Sequence, residues 1–226
     1  MSNHCLVCMN QLTTSISWQS LFTKPPQQNI CVSCRGKLEV IGADVCRKCG
    51  RPQDIGGELC PDCERWTESG ADHLAKNIAC FAYNDFAKEL MALYKYRGDY
   101  AIAAVFSEEL IKSWSAITKE VTIPLPISAE RRTERGFNQT EGLLKLAKIP
   151  FTTQLKREHT EKQSKKTRKE RIDQEQYFFV EEQATVVSKE VLLIDDIYTT
   201  GATLHLAAEA LVSAGAKSVS SITIFR

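Results

Sequence analysis

Apolar and polar positions along residues 76–226 predict strands and helices in turn. Ile78 to Tyr83 is a short apolar run suited to a strand. Asn84 then caps a helix that carries Phe86, Leu90, Leu93 and Tyr94 toward Gly98. Ile102, Val105, Phe106, Leu110 and Trp114 follow at helical spacing, as core positions. Val121 to Ile127 predicts a short strand broken by Pro124 and Pro126, and Asn138 with Glu141 forms a capping box for a helix reaching Lys148. Val191 to Ile194 are four consecutive apolar residues, the pattern of a strand buried on both faces. Leu204, Ala207, Ala208, Leu211 and Val212 give a helical stripe ended by Gly215, and Val219 to Phe225 closes with strand character. Such alternation predicts an α/β fold with a parallel sheet and covering helices. Glu64 to Lys76 is polar and aperiodic, so the junction between a head (residues 1–66) and the α/β unit (residues 76–226) is expected there.

The head is read from its cysteines. Eight of the nine form four C-x-x-C knuckles: Cys5 with Cys8, Cys31 with Cys34, Cys46 with Cys49, and Cys60 with Cys63. Two residues between thiolates let both sulfurs face one tetrahedral ion, and Zn²⁺ favours a four-sulfur cage. The expectation is one or two structural zinc ions. The first two knuckles share one ion in the simplest grouping, and an interleaved pairing is equally allowed. Disulfides suit a reducing cytosol poorly, and four copies exceed the needs of one redox centre. Cys80, outside the pattern, is expected to be a buried small hydrophobe.

Composition narrows the class without naming a function. The chain has 226 residues, 43% hydrophobic and 25% charged, with a formal net charge of +1. These are ordinary values for a soluble globular protein. No apolar run approaches the ~18 residues of a membrane span. The start, MSNHCLVC, lacks the features of a signal peptide, so a cytoplasmic protein without a membrane span is expected.

Candidate chemistry centres on Val191 to Thr203, VLLIDDIYTTGAT. Asp195 and Asp196 follow the buried strand, at the carboxyl edge where open α/β sheets bind ligands. Tyr198, Thr199, Thr200, Gly201, Ala202 and Thr203 then lead into a helix. Its unpaired amides and dipole favour a phosphate, which Gly201 lets the backbone approach. Phosphate below and carboxylates above describe a site for a sugar phosphate. No G-x-x-x-x-G-K-[ST] occurs, which excludes a P-loop motor. Two basic groups accompany this site. Arg131, Arg132 and Arg135 follow a predicted strand, while Lys156 to Arg171 has many bases, few acids and no apolar period. That segment reads as a solvated or mobile loop, suited to closing over pyrophosphate or to contacting nucleic-acid phosphates. Phe137 offers a stacking surface or, more commonly at a helix start, a core contact.

The thirteen-residue run resembles the signature of the type I phosphoribosyltransferases, which bind phosphoribosyl pyrophosphate (PRPP). Two further segments resemble the ComF family: PLP…RGFNQ within Ile123 to Gln139, and the R-x-x-T-x-x-Q-S run with later arginines at Arg157, Thr160, Gln163, Ser164, Arg168 and Arg171. The cysteine head and a lysine-glycine-aspartate-like element at Tyr94 to Asp99 stand in that family's order, so the resemblance covers essentially the whole chain. One departure is Arg171-Ile172-Asp173, where relatives commonly carry an asparagine after the arginine.

The resemblance implies a phosphoribosyltransferase-like domain behind a zinc-binding head. It implies that Asp195 and Asp196, the catalytic pair of such a site, hold the ribose hydroxyls, and that Tyr198 to Thr203 hold the 5′-phosphate, with Mg²⁺ accompanying PRPP. Arg131, Arg132, Arg135, Arg157, Gln163, Lys165, Lys166, Arg168, Lys169 and Arg171 are then pyrophosphate or DNA contacts. It further implies a part in natural transformation, with single-stranded DNA and the ComFA ATPase/helicase as partners, in the cytoplasm with recruitment to the membrane uptake machinery. No pattern identifies a nucleobase-binding hood, so an active transferase with an unidentified acceptor stands as the alternative. A regulator using only the zinc head and basic loop would leave the PRPP signature idle.

Overall fold

Four parallel strands form the central sheet of the computed structural model, which describes residues 4–12, 28–54, 56–159 and 176–226. They are β1 (Asn77–Phe81), β2 (Val121–Pro124), β5 (Glu190–Ile197) and β6 (Ser218–Phe225), in the order β1-β6-β5-β2. The apolar run Val191 to Ile194 lies in β5, a central strand paired on both sides. Its side chains alternate between two cores. Leu192 and Ile194 pack with α3 (Asp85–Tyr96), α4 (Ser107–Ser115) and α6 (Gln139–Leu146), through Leu90, Tyr94, Leu110, Leu143 and Leu144. Val191 and Leu193 face α7 (Ala202–Ser213), through Leu204, Ala208 and Leu211. Burial on both faces explains the unbroken apolar run.

The sequence periods appear with local changes. Asn84 caps α3 by accepting the Ala87 amide. The stretch read as one helical pattern from Ile102 to Trp114 is a 3₁₀ helix (Tyr100–Phe106) followed by α4. Asn138 caps α6, accepting the Thr140 amide at 3.0 Å, but the predicted capping box does not close. Glu141 instead pairs with Arg132 and Lys145, whose charges outbid a backbone amide for its carboxylate. Val212 leaves the predicted stripe and is exposed, because Ala208 and Leu211 already fill the contact of α7 with the sheet. Cys80 is buried in the core, as expected.

An antiparallel hairpin, β3 (Leu155–His159) with β4 (Gln176–Val180), lies over α7 and buries Leu155 and Phe178 in the second core. Lys156 and Arg157, read as part of a loop, therefore stand on a strand. Alternation explains the difference. Leu155 supplies an inward position, while the charged neighbours masked a period too short to register.

The head repeats one design twice. In each copy the first knuckle is a tight turn: the Cys5 amide donates to Asn10 O and the Met9 amide to Cys5 O, matched by Cys46 to Arg51 and Gly50 to Cys46. Met9 and Gly50, at equivalent places, both adopt positive φ. The second knuckle in each copy opens a helix, with Cys31 at the N-cap of α1 (Val32–Arg35) and Cys60 at that of α2 (Pro61–Glu68). A helix N-terminus favours thiolate. The second copy belongs to the second core, beside Leu74, Tyr198 and Leu204. Through α2 and Leu74, the stretch read as the junction joins this packing.

Candidate functional site

The cysteines gather as two tetrads, Cys5/Cys8/Cys31/Cys34 and Cys46/Cys49/Cys60/Cys63, the simpler of the two groupings allowed by spacing. Zinc at about 2.3 Å from four sulfurs implies sulfur–sulfur edges of about 3.8 Å. Cys8 and Cys31 are 3.7 Å apart, Cys49 and Cys60 3.5 Å. Backbone amides also point at sulfur, from Cys31 to Cys5 and from Cys60 to Cys46, each at 3.3 Å. Burial raises the Cys5 and Cys46 thiols, but these amides and their neighbours pull them down to about 6 and about 7. Burial and adjacent sulfurs push Cys34 up to about 12 and Cys63 higher still. Four thiolates cannot share a cage without a cation, and a divalent ion resolves that conflict. Both tetrads thus have the donor set of structural zinc sites.

At the carboxyl edge of the sheet, β5 continues through Asp195 and Asp196 before the chain turns at Tyr198. Burial, then the neighbouring Asp196 carboxylate, pushes Asp195 up to about 8. Its Oδ1 accepts the Asp196 amide at 2.8 Å. Asp196 pairs with Lys95, from the last turn of α3, at 2.7 Å. Arg157 approaches from β3 and stabilises the Asp195 carboxylate, while its own charge is disfavoured by burial and by Arg131. Its Nε is buried with no partner among the described residues. Arg157 thus stands between the Asp195 carboxylate, which attracts it, and the Arg131 guanidinium, which repels it.

The other basic residues divide. Arg131, Arg132 and Arg135 lie on α5 (Ala129–Arg135), capped by Ser128 and ended by Gly136 at φ 76°. Arg132 pairs with Glu141 at 3.4 Å, and Lys156 with Glu181 at 3.2 Å. Arg135 donates to Gln139 Oε1 at 2.9 Å and lies over the Tyr96 ring. Phe137 packs against Tyr94 and Tyr100, its core role rather than a stacking one. Thr160, Gln163, Ser164, Lys165, Lys166, Arg168, Lys169 and Arg171 lie outside the described residues.

Thr199 and Thr200 are exposed, Ala202 and Thr203 open α7, and Gly201 at φ 86° is its N-cap. Tyr198 turns inward, 3% exposed, so its ring belongs to the core and only its backbone reaches the loop surface. A Cβ on Gly201 would overlap that ring, with Cζ only 2.5 Å away. Gly201→Ala is therefore expected to destabilise the protein by about 1 to 3 kcal/mol through backbone strain, with a further loss as the ring shifts. Denaturant midpoints check this; an unchanged midpoint contradicts the packing.

A phosphoribosyl transferase domain model matches residues 133–226, the part that carries the hairpin, β5, the loop and α7. Competence protein ComFC of Bacillus subtilis (strain 168) is 40% identical over 98% of this chain and 94% of its own length. Its namesake in Streptococcus pneumoniae (strain ATCC BAA-255 / R6) is 32% identical over 98% of this chain and 99% of its own length. This chain belongs to the ComFC family. Its sheet is of phosphoribosyltransferase type, and the two cysteine tetrads of its head fit a zinc-binding domain. Among solved structures, the allosteric regulatory enzyme of purine biosynthesis aligns at TM-score 0.37 and 18% identity, covering 54% of this chain and 25% of the other. The glutamine PRPP amidotransferase from B. subtilis aligns at TM-score 0.35 and 19% identity, covering 57% and 26%.

Three residues of this ComFC-family chain stand at the site without having been singled out from sequence. Lys95 lies inside the Tyr94 to Asp99 element, which stands out only through the family resemblance. Trp66 donates Nε1 to Thr200 O at 2.9 Å. A lone aromatic just beyond a knuckle was its signal. Arg226, following β6, donates to Thr199 O at 2.8 Å, and a basic residue after a terminal strand carries no signal at all.

Proposed function

We propose that this chain acts in competence, as an accessory to the uptake of single-stranded DNA in natural transformation that binds PRPP or a related phosphoribosyl ligand. The competence role follows from the name its relatives carry. One observation carries the ligand: Asp195 and Asp196 stand at the carboxyl edge of β5, faced by Lys95 and Arg157 and followed by the Gly201 turn into α7. In this reading Asp195 and Asp196 accept the ribose hydroxyls, with Lys95 fixing Asp196. Amides of the loop from Tyr198 to Thr203 take the 5′-phosphate. Arg131 and Arg157 face the pyrophosphate, whose charge Mg²⁺ neutralises when bound. The tetrads hold zinc that stabilises the head (residues 1–66) against the transferase-like unit (residues 76–226).

No helix of the described residues is long and apolar enough to cross a membrane. We place the protein in the cytoplasm, recruited to the membrane uptake machinery through the ComFA ATPase. Single-stranded DNA is contacted by the basic residues of α5 and by Lys165, Lys166, Arg168 and Lys169. The second reading, a transferase that displaces pyrophosphate toward an acceptor, is favoured by the half-buried Arg157 beside the acidic pair, a cation suited to the leaving group.

Two assays test these readings. Single-stranded DNA binding is expected to weaken with salt at a log-log slope of about −0.7 per phosphate contacted. Neutralising Lys165, Lys166, Arg168 and Lys169 together should flatten that slope at unchanged zinc content. Binding indifferent to salt, or lost only with the cysteine head, moves the DNA contact to the zinc module. Pyrophosphate release across candidate acceptors then separates binding from turnover.

A further inference from the structure

The second cysteine tetrad and the phosphate loop meet at Arg226. Its side chain is only 7% exposed, and its backbone is fixed on both sides, the amide donating to Phe81 O and the carbonyl accepting from Tyr83 N. Nη1 donates to Thr199 O at 2.8 Å and to Tyr198 O at 3.3 Å. Nη2 donates to Cys49 Sγ at 3.4 Å and stands 3.9 Å from Asp62 of α2. The guanidinium lies 4.7 Å over the Tyr198 ring. Trp66, three residues beyond Cys63 on α2, completes the set by donating to Thr200 O and stacking on His205 of α7, with centroids 4.2 Å apart.

The carbonyls of Tyr198, Thr199 and Thr200 are thus all held from the tetrad's side. In a trans peptide the N–H points opposite to the C=O of the same unit. Holding these three carbonyls turns the amides of Thr199, Thr200 and Gly201 to the other side, as an anion cradle requires. A zinc-bound thiolate at Cys49 keeps its charge and so anchors the guanidinium through a charge-assisted bond.

We propose that Arg226 and Trp66 are positioning residues that couple metal occupancy of Cys46/Cys49/Cys60/Cys63 to phosphate binding by the loop from Tyr198 to Thr203. The coupling rests on the phosphoribosyl reading of that loop. Coupling between two sites is reciprocal. The bound phosphoribosyl ligand must therefore retain the metal, just as the metal favours the ligand.

The test uses the full chain loaded with zinc. Release of zinc to a colorimetric chelator is followed with and without saturating PRPP and Mg²⁺, and PRPP affinity is measured separately by calorimetry. In the wild type, PRPP is expected to slow release of zinc from the second tetrad. Arg226→Gln should keep its zinc, bind PRPP about tenfold more weakly or worse, and lose the protection at saturating PRPP. Trp66→Phe preserves the stack on His205 while removing the bond to Thr200, and should show a smaller loss of both; it decides the matter if Arg226→Gln does not fold. Wild-type protein that binds PRPP yet releases zinc equally fast with and without it overturns the coupling and spares the phosphoribosyl reading. Failure of wild-type protein to bind PRPP overturns both.

Discussion

Cys46→Ser is expected to unfold the second tetrad and with it much of the sheet's packing, whereas Cys5→Ser should disrupt the first tetrad alone. Cys46, Cys49, Cys60 and Cys63 are each at most 2% exposed and share a core with Leu74, Leu193, Tyr198 and Leu204. A structural zinc site contributes about 10 to 16 kcal/mol, comparable with the about 5 to 15 kcal/mol that holds a whole domain folded. The first tetrad is peripheral: Cys8 is exposed, and its small cluster meets the main core through Val7, Ile30 and Phe86. Circular dichroism and thermal melting should therefore give a loss of cooperative unfolding for Cys46→Ser and a near-native sheet for Cys5→Ser. Equal, small effects would contradict the burial of zinc in the second core.

Asp195→Asn with Asp196→Asn is expected to abolish PRPP binding in a protein that is still folded. The change removes the charge-assisted bond of Asp196 to a ribose hydroxyl, worth roughly 1.5 to 3 kcal/mol, and sets an amide NH₂ where each position otherwise offers an acceptor oxygen. Stability should move the other way. With its folded pKa raised to about 8, Asp195 binds a proton in the fold that the unfolded chain has released at neutral pH. Its contribution is fully present only below the unfolded carboxylate pKa, and is lost as pH rises through the folded value. Asparagine removes that penalty, so Asp195→Asn alone should melt no lower than the wild type at neutral pH, and higher under mildly alkaline conditions. A folded double variant with wild-type PRPP affinity would sink the assignment of the pair.

Much of this arrangement was legible in the sequence because it rests on local rules. Four apolar residues before Asp195 and Asp196 suit a strand buried on both faces, Asn84 is a residue type that caps helices, and four knuckles of equal spacing supply the sulfurs of two tetrads. What escaped depends on distant partners. Lys156 and Arg157 look like loop residues until α7 supplies the surface on which Leu155 of β3 and Phe178 of β4 are buried. Glu141 fits a capping box by spacing, yet Arg132 and Lys145 compete for it across and along the helix. Arg226 and Trp66 reach the phosphate loop over 27 and 134 residues of sequence, distances at which no local pattern survives. Lys95 stands out in the sequence only through the family resemblance, because an ion pair between α3 and β5 has no signature in either segment.

The central claim is that the acidic pair and the Gly201 loop form a phosphoribosyl site, and calorimetric titration of the zinc-loaded chain with PRPP and Mg²⁺ tests it most directly. The account predicts saturable binding of one PRPP per chain, competed by pyrophosphate. A folded, zinc-loaded protein that gives no saturable binding would contradict it.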